Sequence, residues 1–201
     1  HKLVDLHRSG SVTEAIEGYL IQIGHCSEPK VLAQYHELLG IAYGQIGGLE
    51  QSLLHFKTAL THAPNALSIQ SNVATCYKKL NQPHKAAKVY QDILAHHPAQ
   101  CIPMNNLANI YLSQGKTEIA VNLLQKAICV HPQYSDAYFN LGLAFAQTNK
   151  PSFLFFKKAM DLGHRQAPYQ VAQHYEKQRS LEDAKQAYQL MIQHFPNHAL
   201  G

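Results

Sequence analysis

No apolar run in the 201 residues approaches the 18 or more that a membrane-spanning helix needs, and no secretory leader is visible. Catalytic signatures are missing too. The one glycine-rich stretch, from Gly40 through Gly44 to Gly47 and Gly48, lacks a Gly-Lys-Ser/Thr ending and a preceding strand, so it is no phosphate-cradling loop. There is no Gly-x-Ser-x-Gly elbow, no His-Glu-x-x-His pair and no nucleophile beside a base. Glu14 and Glu17 stand three residues apart and read as a solvated helix face. Cysteine is sparse: Cys26, Cys76, Cys101 and Cys129 have no paired spacing, which argues against a disulfide framework and for reduced thiols in a cytoplasmic protein. Charge is also modest. Seventeen Lys and Arg against 13 Asp and Glu leave a formal +4, too little to argue for nucleic acid as a partner.

What the chain does have is a period. Tyr43, Tyr77, Tyr111 and Phe145 recur every 34 residues, as do Asn72, Asn106 and Asn140, and Pro64, Pro98 and Pro132. A step of this size means one supersecondary unit stacked on copies of itself. Such an array binds through an extended surface rather than an enclosed pocket. The units run 33–66, 67–100, 101–134, 135–164 and 165–198, with residues 1–32 as a partial unit and link. Each carries a small residue (Gly40, Ala74, Ala108, Gly142, Ala172), an aromatic three positions on, and a later bulky residue (Phe56, Tyr90, Leu124, Phe156, Tyr188), preceded by four positions by Ala86, Ala120 or Ala184 in three units and by Ser52 in the first. Ala15 and Tyr19 fit the same places in the partial unit. The fourth unit is about four residues short, and the expectation is that it loses them in its middle turn and near Gly163 and His164.

This pattern resembles the tetratricopeptide repeat, over nearly the whole chain. The consensus tryptophan is absent: His36, Gln70, Met104, Tyr138 and Pro168 stand in its place. The short fourth unit is also similar to Sel1-like repeats. The resemblance implies an all-α fold, a right-handed superhelical solenoid of antiparallel helix pairs in a single domain, with about five full repeats after the partial one.

Local signals agree with it. In 67–80 the apolar residues Val73, Ala74, Tyr77 and Leu80 share one helical face, as do Ile119, Ala120, Leu123, Leu124, Ala127 and Ile128 in 117–130. Gly47, Asn81, Gly115 and Asn149 fall where first helices end and tolerate left-handed backbone. Pro83 and Pro151 suit second-helix starts. Ser11 with Glu14 reads as a capping box, and Ser180 with Asp183 resembles one. Pro64, Pro98, Pro132 and Pro196 stop second helices. The link at 27–30 looks slightly long. Of the 14 histidines, His62, His96 and His194 fall at second-helix ends, with His97 and His131 one step later, where an imidazole can meet free carbonyls. His194 and His198 stand four apart but Pro196 separates them, so no metal site and no cofactor is expected.

In this family the first helices line the concave face, which places the second, fifth, sixth, ninth, twelfth and thirteenth residues of each unit inward. Asn72, Asn106 and Asn140 all stand sixth. A side-chain amide donates and accepts at once and can pair with a peptide backbone without reading its sequence. The three resemble the asparagine ladder of O-linked N-acetylglucosamine transferases, although Leu38 and Gln170 hold the flanking places. Asn105, Asn109, Gln170 and Gln173 add amides; Thr75, Lys78 and Lys79 add polarity and charge; Phe139 and Tyr169 offer an aromatic anchor. The Lys/Asn clamp of co-chaperones that bind heat-shock-protein C-termini is not matched, since Glu37, Ile41 and Ile102 occupy its places.

The expected function is a non-catalytic scaffold that holds an extended peptide or partner segment. The alternative is the recruiting domain of a larger glycosyltransferase or methyltransferase, because the chain begins inside a first helix and stops where another helix would begin. An RNA binder akin to pentatricopeptide proteins would have a period one residue longer and a more basic groove. Self-association through uncapped repeat ends is a further expectation.

Overall fold

Gly47, Asn81, Gly115 and Asn149 all hold the left-handed backbone that their spacing predicts, with φ of 83°, 56°, 73° and 54°. Each reverses the chain in a three- to five-residue link between two helices. The computed structural model describes residues 2–194; Pro196 and His198 lie outside them. Among the described residues there are twelve helices and no strand. They group into two units, within 1–96 and 97–201.

The first unit holds α1 (Lys2–Arg8), α2 (Val12–His25), α3 (Pro29–Gln45), α4 (Leu49–His62), α5 (Leu67–Lys79) and α6 (Pro83–His96). Ala15 and Tyr19 are fully buried in α2, as the partial repeat requires. The residues ahead of them do more than expected. They form α1, whose buried His7 meets Gln45 Oε1 through Nε2 at 2.9 Å, while the Tyr19 hydroxyl donates to the Leu3 carbonyl at 3.2 Å. The long link at 27–30 is absorbed into helix: Pro29 takes the first position of α3, where its missing N–H costs nothing, and α3 reaches 17 residues. Ser11 precedes α2 but its side chain makes no cap hydrogen bond, so the expected capping box is not closed there.

The second unit holds α7 (Cys101–Ser113), α8 (Thr117–Val130), α9 (Ser135–Gln147), α10 (Phe153–Asp161), α11 (Ala167–Lys177) and α12 (Leu181–His194). The short repeat is shortened differently from the expectation. Its turns are not trimmed; the connections 148–152 and 162–166 are each a residue or two longer than their counterparts. Instead α10 has nine residues where α8 has 14. Pro151 consequently lies ahead of α10 rather than at its first position, which Phe153 takes. Ser180 donates its hydroxyl to Asp183, so that pair does interact.

Small residues and rings decide how the two helices of a pair meet. Gly40 and Gly142 lie under Phe56 and Phe156: a Cβ added at either would stand 2.6 Å or 2.7 Å from the ring. Where the ring is replaced by Leu124, the partner is Ala108, and both are buried.

Arg179 occupies the turn position held elsewhere by Gly or Asn, with φ of 58°. Left-handed backbone costs an ordinary L-residue roughly 1–2 kcal/mol. Arg179→Gly should therefore raise the stability of the second unit by about 0.5–1 kcal/mol after glycine's own entropy cost, read as a higher urea midpoint.

Candidate functional site

In the first unit, inward-counted positions of two successive first helices meet. Ile41 and Gln45 of α3 and Asn72, Thr75 and Lys79 of α5 border one cavity of about 470 Å³. Its floor is fixed by Ser52, whose buried hydroxyl donates to the Gly40 carbonyl at 2.6 Å and meets Cys76 Sγ at 3.3 Å. Thr75 is half-committed already: its hydroxyl donates to the Ser71 carbonyl at 3.0 Å and lies 3.3 Å from the Tyr90 hydroxyl. Asn72 is half-buried, and Lys78 and Lys79 are exposed in the last turn of α5.

In the second unit, too, two successive first helices border one cavity, but nearer their starts and with different chemistry. Phe139 and Leu143 of α9 face Tyr169 and Gln170 of α11 across a cavity of about 460 Å³, which Arg165, Gln166 and Met191 complete. Phe139 is 7% exposed and Tyr169 44%. Gln173, half-buried, does not border this space.

The periodic asparagines do not share one environment. Asn140 is 8% exposed and donates through Nδ2 to Asn105 Oδ1 at 2.8 Å; Asn105 is 3% exposed. These two amides tie α7 to α9 inside the fold. Asn72, Asn106 and Asn109 remain half-buried. Ile41, Leu143 and Gln166 also hold inward-counted positions and line the cavities, but neither amide periodicity nor aromaticity singled them out. Arg165 and Met191, outside those positions, gave no sequence signal.

His164 braces the second cavity from behind. Its ring stacks on Phe139 with centroids 4.0 Å apart, its Nδ1 accepts from the Gln166 N–H at 3.3 Å, and its Nε2 lies 3.6 Å from Asp136. Burial pushes its pKa below the ordinary value, while Asp136 pulls the other way.

Histidines cluster in the first unit as well. His36 and His55 approach Nδ1 to Nδ1 at 3.0 Å, so one ring must donate and the other accept. His62 stacks on His36, and Tyr43 on His55. Among the described residues no group of three or more His, Cys, Asp or Glu is disposed to hold a metal ion. Burial lowers the pKa of both His36 and His55, and the neighbouring imidazoles lower His36 further. With folded-state values below the unfolded value of about 6.5, the unfolded chain takes up protons first as pH falls. Stability is thus fully present above that pH and declines as pH drops through it. Urea midpoints measured from pH 8 to 5 should fall, and His36→Gln should flatten the decline. Elsewhere His96 behaves as its helix-end position suggests, with Nδ1 2.9 Å from the Asp92 carbonyl. The four cysteines are unpaired, and no helix of the described residues is long and apolar enough to cross a membrane.

Comparison with known proteins agrees with this architecture. A TPR repeat family model matches residues 108–149, and a tetratricopeptide repeat model matches 72–99. The type IV pilus assembly protein PilF of Pseudomonas aeruginosa is 27% identical over 161 residues, which cover 77% of this chain. They span 64% of that relative's length. The solved structure of Pseudomonas aeruginosa PilF superposes with a TM-score of 0.72 at 25% identity, covering 84% of this chain and 78% of that one. A thermophilic TPR protein of Thermus thermophilus superposes with a TM-score of 0.70, covering 82% of this chain and 92% of the other, and at 21% identity the likeness is one of fold.

Proposed function

We propose that this chain, a tetratricopeptide repeat protein and not an enzyme, holds an extended segment of a partner protein against the faces of its first helices. One observation carries the reading. In each unit, separately, inward-counted residues of two successive first helices converge on a single cavity: α3 with α5, and α9 with α11. The two cavities coincide in register at the ninth residue of one first helix and the sixth of the next, Ile41 with Asn72 and Leu143 with Gln170. The side chains there are suited to holding rather than reacting. Asn72 and Gln170 can donate and accept along a peptide backbone, Lys79 adds charge, and Phe139 and Tyr169 offer apolar area. One relative is named a type IV pilus assembly protein, and holding a partner segment is a role that assembly can use. That class of role, rather than the pilus itself, is what the proposal carries over.

The test is to pan a random 12-residue peptide library against the full 201-residue chain. Enriched peptides should lose about tenfold or more in affinity on Asn72→Ala with Lys79→Ala, or on Tyr169→Ala with Gln170→Ala. If nothing is enriched, or if the enriched peptides bind both double variants as tightly as the parent, the reading fails.

A further inference from the structure

The two cavities differ in what they can recognise. The one in the first unit sets Ser52, Asn72, Thr75 and Lys79 beside Ile41, Leu49 and Phe56, and its one ring is Phe56. In the second unit two aromatic rings, Leu143 and Met191 form the walls, and the single charged side chain at the rim is Arg165.

We propose that the second-unit cavity seats an aromatic side chain of the partner segment, with a carboxylate from an adjacent acidic residue on Arg165. This rests on the reading of the chain as a binder of extended segments, and it names the segment's chemistry. The aromatic half follows from how the walls are held. Phe139 is clamped from behind by His164, 4.0 Å away and nearly parallel, and by Phe156 at 5.5 Å. Tyr169 leans on Tyr188 at 6.3 Å while nearly half its surface stays exposed. Rings fixed before the partner arrives lose little freedom on binding, which is where much of the cost of association lies. A third ring can then pack offset or edge-on between them. Met191, unbranched and polarizable, adapts the remaining wall to its shape.

The acidic half follows from charge. Arg165 lines this cavity, while Asp136, which borders a neighbouring hollow together with Arg165, lies 3.6 Å from His164. Arg165 already makes a contact within the fold, so an incoming carboxylate joins that arrangement rather than meeting a bare cation. The guanidinium fork matches a carboxylate in two parallel hydrogen bonds, a geometry that a neutral amide cannot reproduce. Gln166 and Gln170, on either side, can meet the main chain between ring and acid.

The experiment takes the peptides selected on the full chain and synthesises the consensus in four forms: parent, ring replaced by Ala, acid replaced by its amide, and both. Expected results are an aromatic residue with Asp or Glu within two positions, about tenfold weaker binding without the ring, and a salt-dependent loss without the acid. Arg165→Gln should bind the acid and amide forms alike. Tyr169→Ala should bind ringed and ringless forms alike, and Tyr169→Phe should restore the difference. Both positions are exposed, and circular dichroism checks that the variants fold. Peptides that lack the ring or the acid, yet depend on Tyr169 and Gln170, would overturn this inference and leave the scaffold reading standing. Peptides indifferent to every cavity variant would overturn both.

Discussion

Gly142→Ala and Phe156→Leu should each destabilise the second unit, and combining them should recover most of the loss. Alanine at 142 brings a Cβ within 2.7 Å of the Phe156 ring, which is buried and cannot swing away freely. Overpacking of this kind costs roughly 1–3 kcal/mol, against about 1 kcal/mol gained in helix propensity over glycine. Leucine at 156 removes ring atoms from a filled core and should cost about 1–2 kcal/mol, less than complete truncation. The double variant reproduces a pairing the chain already uses, Ala108 with Leu124, both buried. The coupling between the two sites should therefore be about 1–3 kcal/mol in a double-mutant cycle on urea unfolding. Strict additivity would mean that the glycine is not there for the ring.

The second large effect falls on Asn105 and Asn140. Truncating either to Ala should cost about 1–3 kcal/mol, because it leaves the other's polar group buried without its partner. Removing both should cost less than the sum, since no orphan then remains. Urea midpoints of the two single variants and the double decide the matter. If Asn140 served a ligand alone, Asn140→Ala would leave the unfolding midpoint where it was.

These cases show where sequence reading reaches and where it stops. Backbone geometry was legible, because a left-handed turn admits few residue types: the positions of Gly47, Asn81, Gly115 and Asn149 follow from chemistry that is local to one residue. The extent of α8 matched the 117–130 pattern because its apolar face and following proline agree. The shortened repeat was legible in length but not in place. A deletion of four residues can come out of a turn or a helix, and the turns here need their residues to reverse the chain, so α10 gave them up. Counting within the repeat reached residues that border the two cavities, among them Asn72, Thr75, Phe139 and Tyr169. What each amide does was not, because Asn72 and Asn140 hold the same register and differ only in what the neighbouring helix brings: Asn105 meets Asn140. His7 and the pair His36–His55 were missed for a related reason, since their partners lie 38 and 19 residues away. Arg165 and Met191 reach the second cavity from a loop and a second helix, which no first-helix register includes.

The matching of small residue to ring has a consequence for how such a chain can grow. Exchanging partners within the second unit would set Gly142 with Leu124 and Ala108 with Phe156, two pairings that no repeat of this chain uses; where alanine stands with a ring, the ring is Tyr90 or Tyr188. Gene duplication and recombination are therefore expected to keep each hairpin whole and to cut in the loops that hold Pro64, Pro98 or Pro132. The piece that packs as one is also the piece that can be inherited as one.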